Sequence, residues 1–166
     1  MAILEGLGPK RKIFEDLTPN DYLFEISEPG DKGWVVEFTD KDDMGNDTDA
    51  VASYINWKLR VLKPEAFENK PFFHLTMFSA TPEKIAKAKR SYDPAGFTYQ
   101  FLGSIGAGVV SGGEVTILDE YLTKGEVDLD KLIGLRFWGS VREVQIVNKE
   151  TKETQTRARL EKSWTE

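Results

Sequence analysis

Cysteine is absent from this chain of 166 residues, and histidine occurs once, at position 74. Without cysteine there are no disulfides, thiolate metal sites or cysteine nucleophiles, and the composition fits an intracellular protein. One histidine is too few for a zinc site, which wants several nitrogen or sulfur ligands. A hydrolase triad would have to use His74 as its base, and no GxSxG elbow accompanies it. The carboxylates have no HExxH or DxD-type frame that would commit them to metal or acid–base work. No run approaches the roughly 18 apolar residues of a membrane span. The opening MAILEGLGPKRK lacks the apolar stretch of a secretory signal. These absences predict a cytoplasmic protein without cofactor, metal or membrane association, and not an enzyme.

What is present suits a globular protein. Hydrophobic residues make up 40%, charged residues 30% and aromatics 11%, enough to build a sizeable core. The length predicts a single domain over residues 1–166. The net charge of −6 hides an asymmetry. Residues 40–49 (DKDDMGNDTD) hold five aspartates and one lysine, whereas the chain from Arg136 onward holds seven basic and five acidic residues. The aspartate run has no calcium-loop geometry: Met44 stands where the fifth position needs oxygen, and Val51 where the twelfth needs glutamate. It reads as an exposed loop.

Residues 1–20 read as a polar arm with a basic cluster at Lys10, Arg11 and Lys12. Residues 22–28 (YLFEISE) and 33–39 (GWVVEFT) alternate as strands, forming either a hairpin or one bent strand broken at Pro29 and Gly30. Residues 51–62 (VASYINWKLRVL) read as a long strand, and 71–78 (PFFHLTMF) as its hairpin partner. Thr81-Pro82 and Asp93-Pro94 are helix starts, giving a helical block over 82–105 that stops at Gly106. Residues 103–113 (GSIGAGVVSGG) lack the order of a phosphate loop and read as a flexible connector within a glycine-rich and acidic insert, 103–127. Residues 115–118 suit a short strand, and Asp128 caps a small helix over 129–133 that ends at Gly134. LRFWGSVREVQIV and TQTRARLEKSW then read as a closing strand pair around the loop 148–155.

Strand side chains alternate between faces. Opposite the apolar faces, the long strand presents Tyr54, Asn56, Lys58 and Arg60. The next strand is expected to add Phe72, His74 and Phe78. The closing pair adds Arg136, Trp138, Arg142, Arg157 and Arg159. If these share a sheet, its far side mixes cations with flat rings. Single-stranded nucleic acid needs that mixture: cations track phosphates, and rings stack on unpaired bases. A double helix buries its base faces, so exposed rings would find nothing there to stack on.

The order strand, strand, strand, helix, strand, strand is that of the OB-fold, in which a helix between the third and fourth strands plugs a five-stranded barrel. The strand VASYINWKLRVL leading to FFHLTMF, the alanine- and lysine-rich helix and the terminal LIGLRFWGSV…TRARLEKSW unit resemble small bacteriophage OB-fold proteins related to phage single-stranded-DNA-binding proteins. The resemblance covers residue 22 to the end. It implies a mainly β, OB-fold-like barrel that binds single-stranded DNA in phage replication or recombination, in the host cytoplasm, alongside replication or recombination proteins. The alternative is a non-catalytic structural or protein-interaction β-barrel, such as a phage accessory or virion component, with the aromatics in its core.

Overall fold

The computed structural model describes residues 2–5, 7–9, 17–148 and 151–166. The basic cluster at positions 10–12 lies outside them, as do residues 149 and 150 of the last loop.

Alternating sequence becomes strand wherever one parity can be buried. β1 (Asn20–Ile26) and β2 (Val35–Lys41) do not pair with each other. Both run antiparallel to the long β3 (Asp47–Lys63), β2 along its first half and β1 along its last residues. β4 (Pro71–Ala80) pairs with residues 52–60 of β3 and therefore occupies the other edge. Of the two expected arrangements, the interrupted strand is the one that forms.

The helical block is two helices. α1 (Pro82–Ala86) starts at Thr81, whose hydroxyl accepts from the Lys84 amide at 3.4 Å. α2 (Pro94–Ser104) starts at Asp93, whose carboxylate accepts from the Ala95 amide at 3.2 Å. Such caps serve the amides of the first turn; the Lys84 amide also donates to the Thr81 carbonyl at 3.0 Å. Among the described residues, no helix is long and apolar enough to cross a membrane.

The glycine-rich stretch is structured rather than a loose connector. β5 (Gly108–Ser111) and β6 (Glu114–Ile117) form a hairpin. Its two turn residues, Gly112 and Gly113, have φ of 58° and 77°, the left-handed pair that a tight two-residue hairpin demands. A Cβ on Gly103 would lie 2.8 Å from Val110 Cγ2, so glycine in α2 lets the hairpin close on the helix. β7 (Leu122–Thr123) and β8 (Glu126–Val127) make a second small hairpin. Asp128 then caps a 3-10 turn, Leu129–Leu132, accepting from the Asp130 amide at 3.1 Å. β9 (Arg136–Val147) and β10 (Thr154–Thr165) complete the main sheet.

That sheet runs β10-β9-β1-β3-β2, with β4 also paired to β3. Among the described residues no ladder joins β4 to β10, so the expected closed, five-stranded OB-type barrel does not form. The described residues build ten strands in antiparallel sheets that do not close. α2 lies at the gap: it packs on β4, and its Ser104 hydroxyl is hydrogen-bonded to Ser163 of β10. Side chains of a helix thus bridge the interval that backbone pairing would have closed.

The core lies between the inner face of the sheet and α2. Tyr22, Phe24 and Ile26 of β1, Trp57, Leu59 and Val61 of β3, and Phe137 of β9 are fully buried there. Phe101, Leu102 and Ile105 cover them from the helix. Burying each large apolar side chain contributes about 1.5–3 kcal/mol. One polar chain crosses this core. Trp57 Nε1 donates to Thr76 Oγ1 at 2.8 Å. Thr98 Oγ1 lies 2.9 Å from the same oxygen and donates to the Met77 carbonyl at 2.9 Å. It ties β3, β4 and α2 together, and no buried side-chain polar atom among the described residues is left without a partner.

Candidate nucleic-acid interface

Pairing register decides which face a side chain joins, because neighbours across a ladder point the same way. On the β3–β4 ladder, Tyr54 opposes Met77, Asn56 opposes Leu75 and Lys58 opposes Phe73. Trp57 opposes His74, and Leu59 opposes Phe72. The outer face therefore carries Tyr54, Asn56, Lys58 and Arg60 as expected, but from β4 it receives Phe73, Leu75 and Met77.

Phe72, His74 and Phe78 do not join that face. Phe72 is buried and stacks on Phe24 with ring centroids 5.6 Å apart. His74 lies 5.0 Å from the Phe101 ring. Phe78 packs against the edge of the core and is the extra residue of a bulge, since Ser53 pairs with Ser79 and Tyr54 with Met77. The ring that the sequence reading missed is Phe73, 51% exposed and directly opposite Lys58. PFFHLTMF carries phenylalanine on both parities, Phe73 on one and Phe72 and Phe78 on the other, and the more polar parity is the one buried, so only the partner strand could decide between them.

Across the sheet, Glu25 of β1 opposes both Arg60 and Arg136. Arg60 Nη2 donates to Glu25 Oε1 at 2.6 Å, and Arg136 Nη2 to Glu166 Oε1 at 2.8 Å. These two arginines form ion pairs within a surface charge ladder, of the kind worth up to about 1 kcal/mol. They are less available to a ligand than the alternation suggested.

Beyond Arg136, the strand cations of the closing pair have no carboxylate partner among the described residues. Trp138 opposes Trp164, Ser140 opposes Lys162, Arg142 opposes Arg159 and Val144 opposes Arg157. Trp138 is half-buried, while Trp164 is exposed. Arg142 and Arg159 face each other directly, and among the described residues neither has a carboxylate partner. Like charges in direct cross-strand opposition are destabilising, which marks a place where an anion would be welcome. Arg157 on the same side donates to Gln155 at 3.0 Å. The acidic 40–49 segment is occupied elsewhere. Asp42 Oδ1 accepts from the Met44 and Asn46 amides, both at 2.9 Å, forming the β2–β3 turn. Asp40 pairs with Lys84 and Lys87, whose hydrogen bonds hold its carboxyl below the usual carboxylate range. Among the described residues no acidic or histidine cluster suits a metal ion.

The outer patches of β3–β4 and β9–β10 flank the gap between the unpaired edges. Between β4 and β10 runs a groove of about 810 Å3, with α2 along it and His74 among its lining residues. Burial, helped by the positive charge of Arg159, lowers His74 to about 4 from an ordinary 6.5. The unfolded chain therefore binds the proton first. Stability is fully present above pH 6.5 and is lost as pH falls toward 4. Between pH 7 and pH 4.5 His74 should cost about 2–3 kcal/mol. Urea unfolding at the two pH values should show that loss in the native protein and a correspondingly smaller one in His74→Gln. Equal losses would mean that His74 is hydrated.

No protein-family model matches the chain, and no curated protein matches it.

Proposed function

We propose that the chain binds single-stranded DNA, without catalysis, through the outer face of its main sheet. The supporting observation is the pairing of exposed rings with cations across that face: Phe73 opposite Lys58, and Trp164 one pleat from Lys162 and two from the Arg142–Arg159 pair. Such a face gives phosphates their counter-charges and unpaired bases a stacking surface. In the setting that the phage resemblance implies, the strand would be exposed during replication or recombination, and proteins of those processes would be further partners.

Binding should be steeply salt-dependent. Among the described strand residues, Lys58, Arg142, Arg157, Arg159 and Lys162 are the outer-face cations outside the ion-paired ladder. If each neutralises one phosphate, log K falls with a slope of about −3.5 against log salt. Raising salt from 50 to 200 mM should then weaken binding about a hundredfold. Fluorescence anisotropy of labelled oligo(dT) measures this. No change at 50 mM salt with micromolar protein would reject the reading.

The rival is a protein-interaction role. Val109 and Val110, on opposite faces of β5, favour it, being 57% and 61% exposed. It predicts no oligonucleotide binding and a partner chain seated on the β5–β6 hairpin.

A further inference from the structure

We infer that the groove between β4 and β10 is a base pocket, which takes one unstacked base of the bound strand while its phosphates stay on the cationic rim. This rests on the single-strand reading above and assigns it a site. About 810 Å3 of space lies between the two sheet edges, within the usual range of small-ligand pockets. Rings stand in its walls, among them Phe97 of α2 and Trp164 of β10, which are 47% and 38% exposed. Exposed rings on a groove wall give a base a stacking surface that a packed core would not leave open.

The polar groups fit the same occupant. Gln100 lines the groove and is exposed; its amide both donates and accepts, so it can meet the edge of any base. His74 stays neutral at pH 7 and presents no charge to attract a phosphate inward. Glu161, also in the lining, would repel a phosphate but can accept from a base amino group. Lys162 lines the same wall, and its cross-strand partner Ser140 lies beside Arg142 on the outer face. Charge thus sorts the strand, with the base inside and the phosphates outside.

The test uses the full chain and two labelled oligomers of equal length: oligo(dT), and an abasic sugar-phosphate strand with the same charge. The native protein should bind oligo(dT) more tightly. Phe97→Ala removes an exposed wall ring and should weaken oligo(dT) binding about tenfold, with abasic binding unchanged. Gln100→Trp fills the mouth from an exposed position and should have the same selective effect. Equal binding of both oligomers by the native protein, or variants that shift both or neither, would overturn the pocket and leave a phosphate-binding face intact. Binding of neither oligomer would overturn the single-strand reading as well.

Discussion

Trp57→Ala should lower stability by about 4 kcal/mol. Trp57 is fully buried in the middle of β3. Its ring meets Trp34 edge-on at 5.9 Å and Phe101 at 5.2 Å. Truncation loses the buried area, leaves a cavity among rings that cannot fully collapse, and removes the donor to Thr76. Native proteins are stable by only about 5–15 kcal/mol, so this one change takes a large share. Urea unfolding should show a lower midpoint at unchanged slope. Trp57→Phe keeps most of the packing and should cost roughly half as much. A loss under about 1 kcal/mol for the alanine variant would refute the central role given to this ring. The consequence reaches the groove, because the Trp57–Thr76–Thr98 contacts seat α2 against β4.

The second large effect is on binding. Replacing Arg142, Arg157 and Arg159 together by alanine should weaken oligo(dT) binding about a hundredfold at 0.1 M salt and flatten the salt slope by about 2. Stability should move the other way. Arg142 and Arg159 oppose each other across the ladder, so removing both relieves repulsion, and the variant should be more stable by about 0.3 kcal/mol. The opposite signs separate the two readings of these residues. If the arginines were solvated ladder residues that support the hairpin, the variant would lose stability and keep its binding. That result would remove the phosphate-tracking surface from the proposal.

Much of the local structure was legible from residue order. Period-two alternation located β1, β3, β4, β9 and β10, because each has a parity that must be buried. Thr81, Asp93 and Asp128 were readable as caps because their side-chain oxygens satisfy amides two or three residues on. The outer faces of β3 and β9 followed from the same alternation. Of the glycine-rich hairpin, the strand at 115–118 was legible and forms β6, but its pairing with β5 was missed because Gly112 and Gly113 mark a tight turn as readily as a loose connector.

The candidate site was less legible, for one physical reason: its chemistry depends on pairs distant in sequence. Arg60 and Arg136 looked like free cations until the fold brought Glu25 and Glu166 to them. Glu143, which could have countered Arg142 or Arg159, points to the other side of its strand, opposite Ala158.

By itself, then, the sequence determined the strands of the main sheet, the helix starts, the absence of thiol chemistry and the two-sided character of β3 and β9. These depend on steric and hydrogen-bonding preferences within a few residues. Only the tertiary structure decided that Phe73 rather than Phe72 faces outward, and that the sheet stops short of a barrel. A register shift of one residue exchanges the faces of a strand that carries phenylalanine on both, and in β4 the pairing with β3 buries the parity that holds His74 and Thr76, against the chain's own alternation. Closure depends on whether α2 or a backbone ladder fills the interval between β4 and β10. Here the helix fills it, and the groove left beside it is the pocket proposed above.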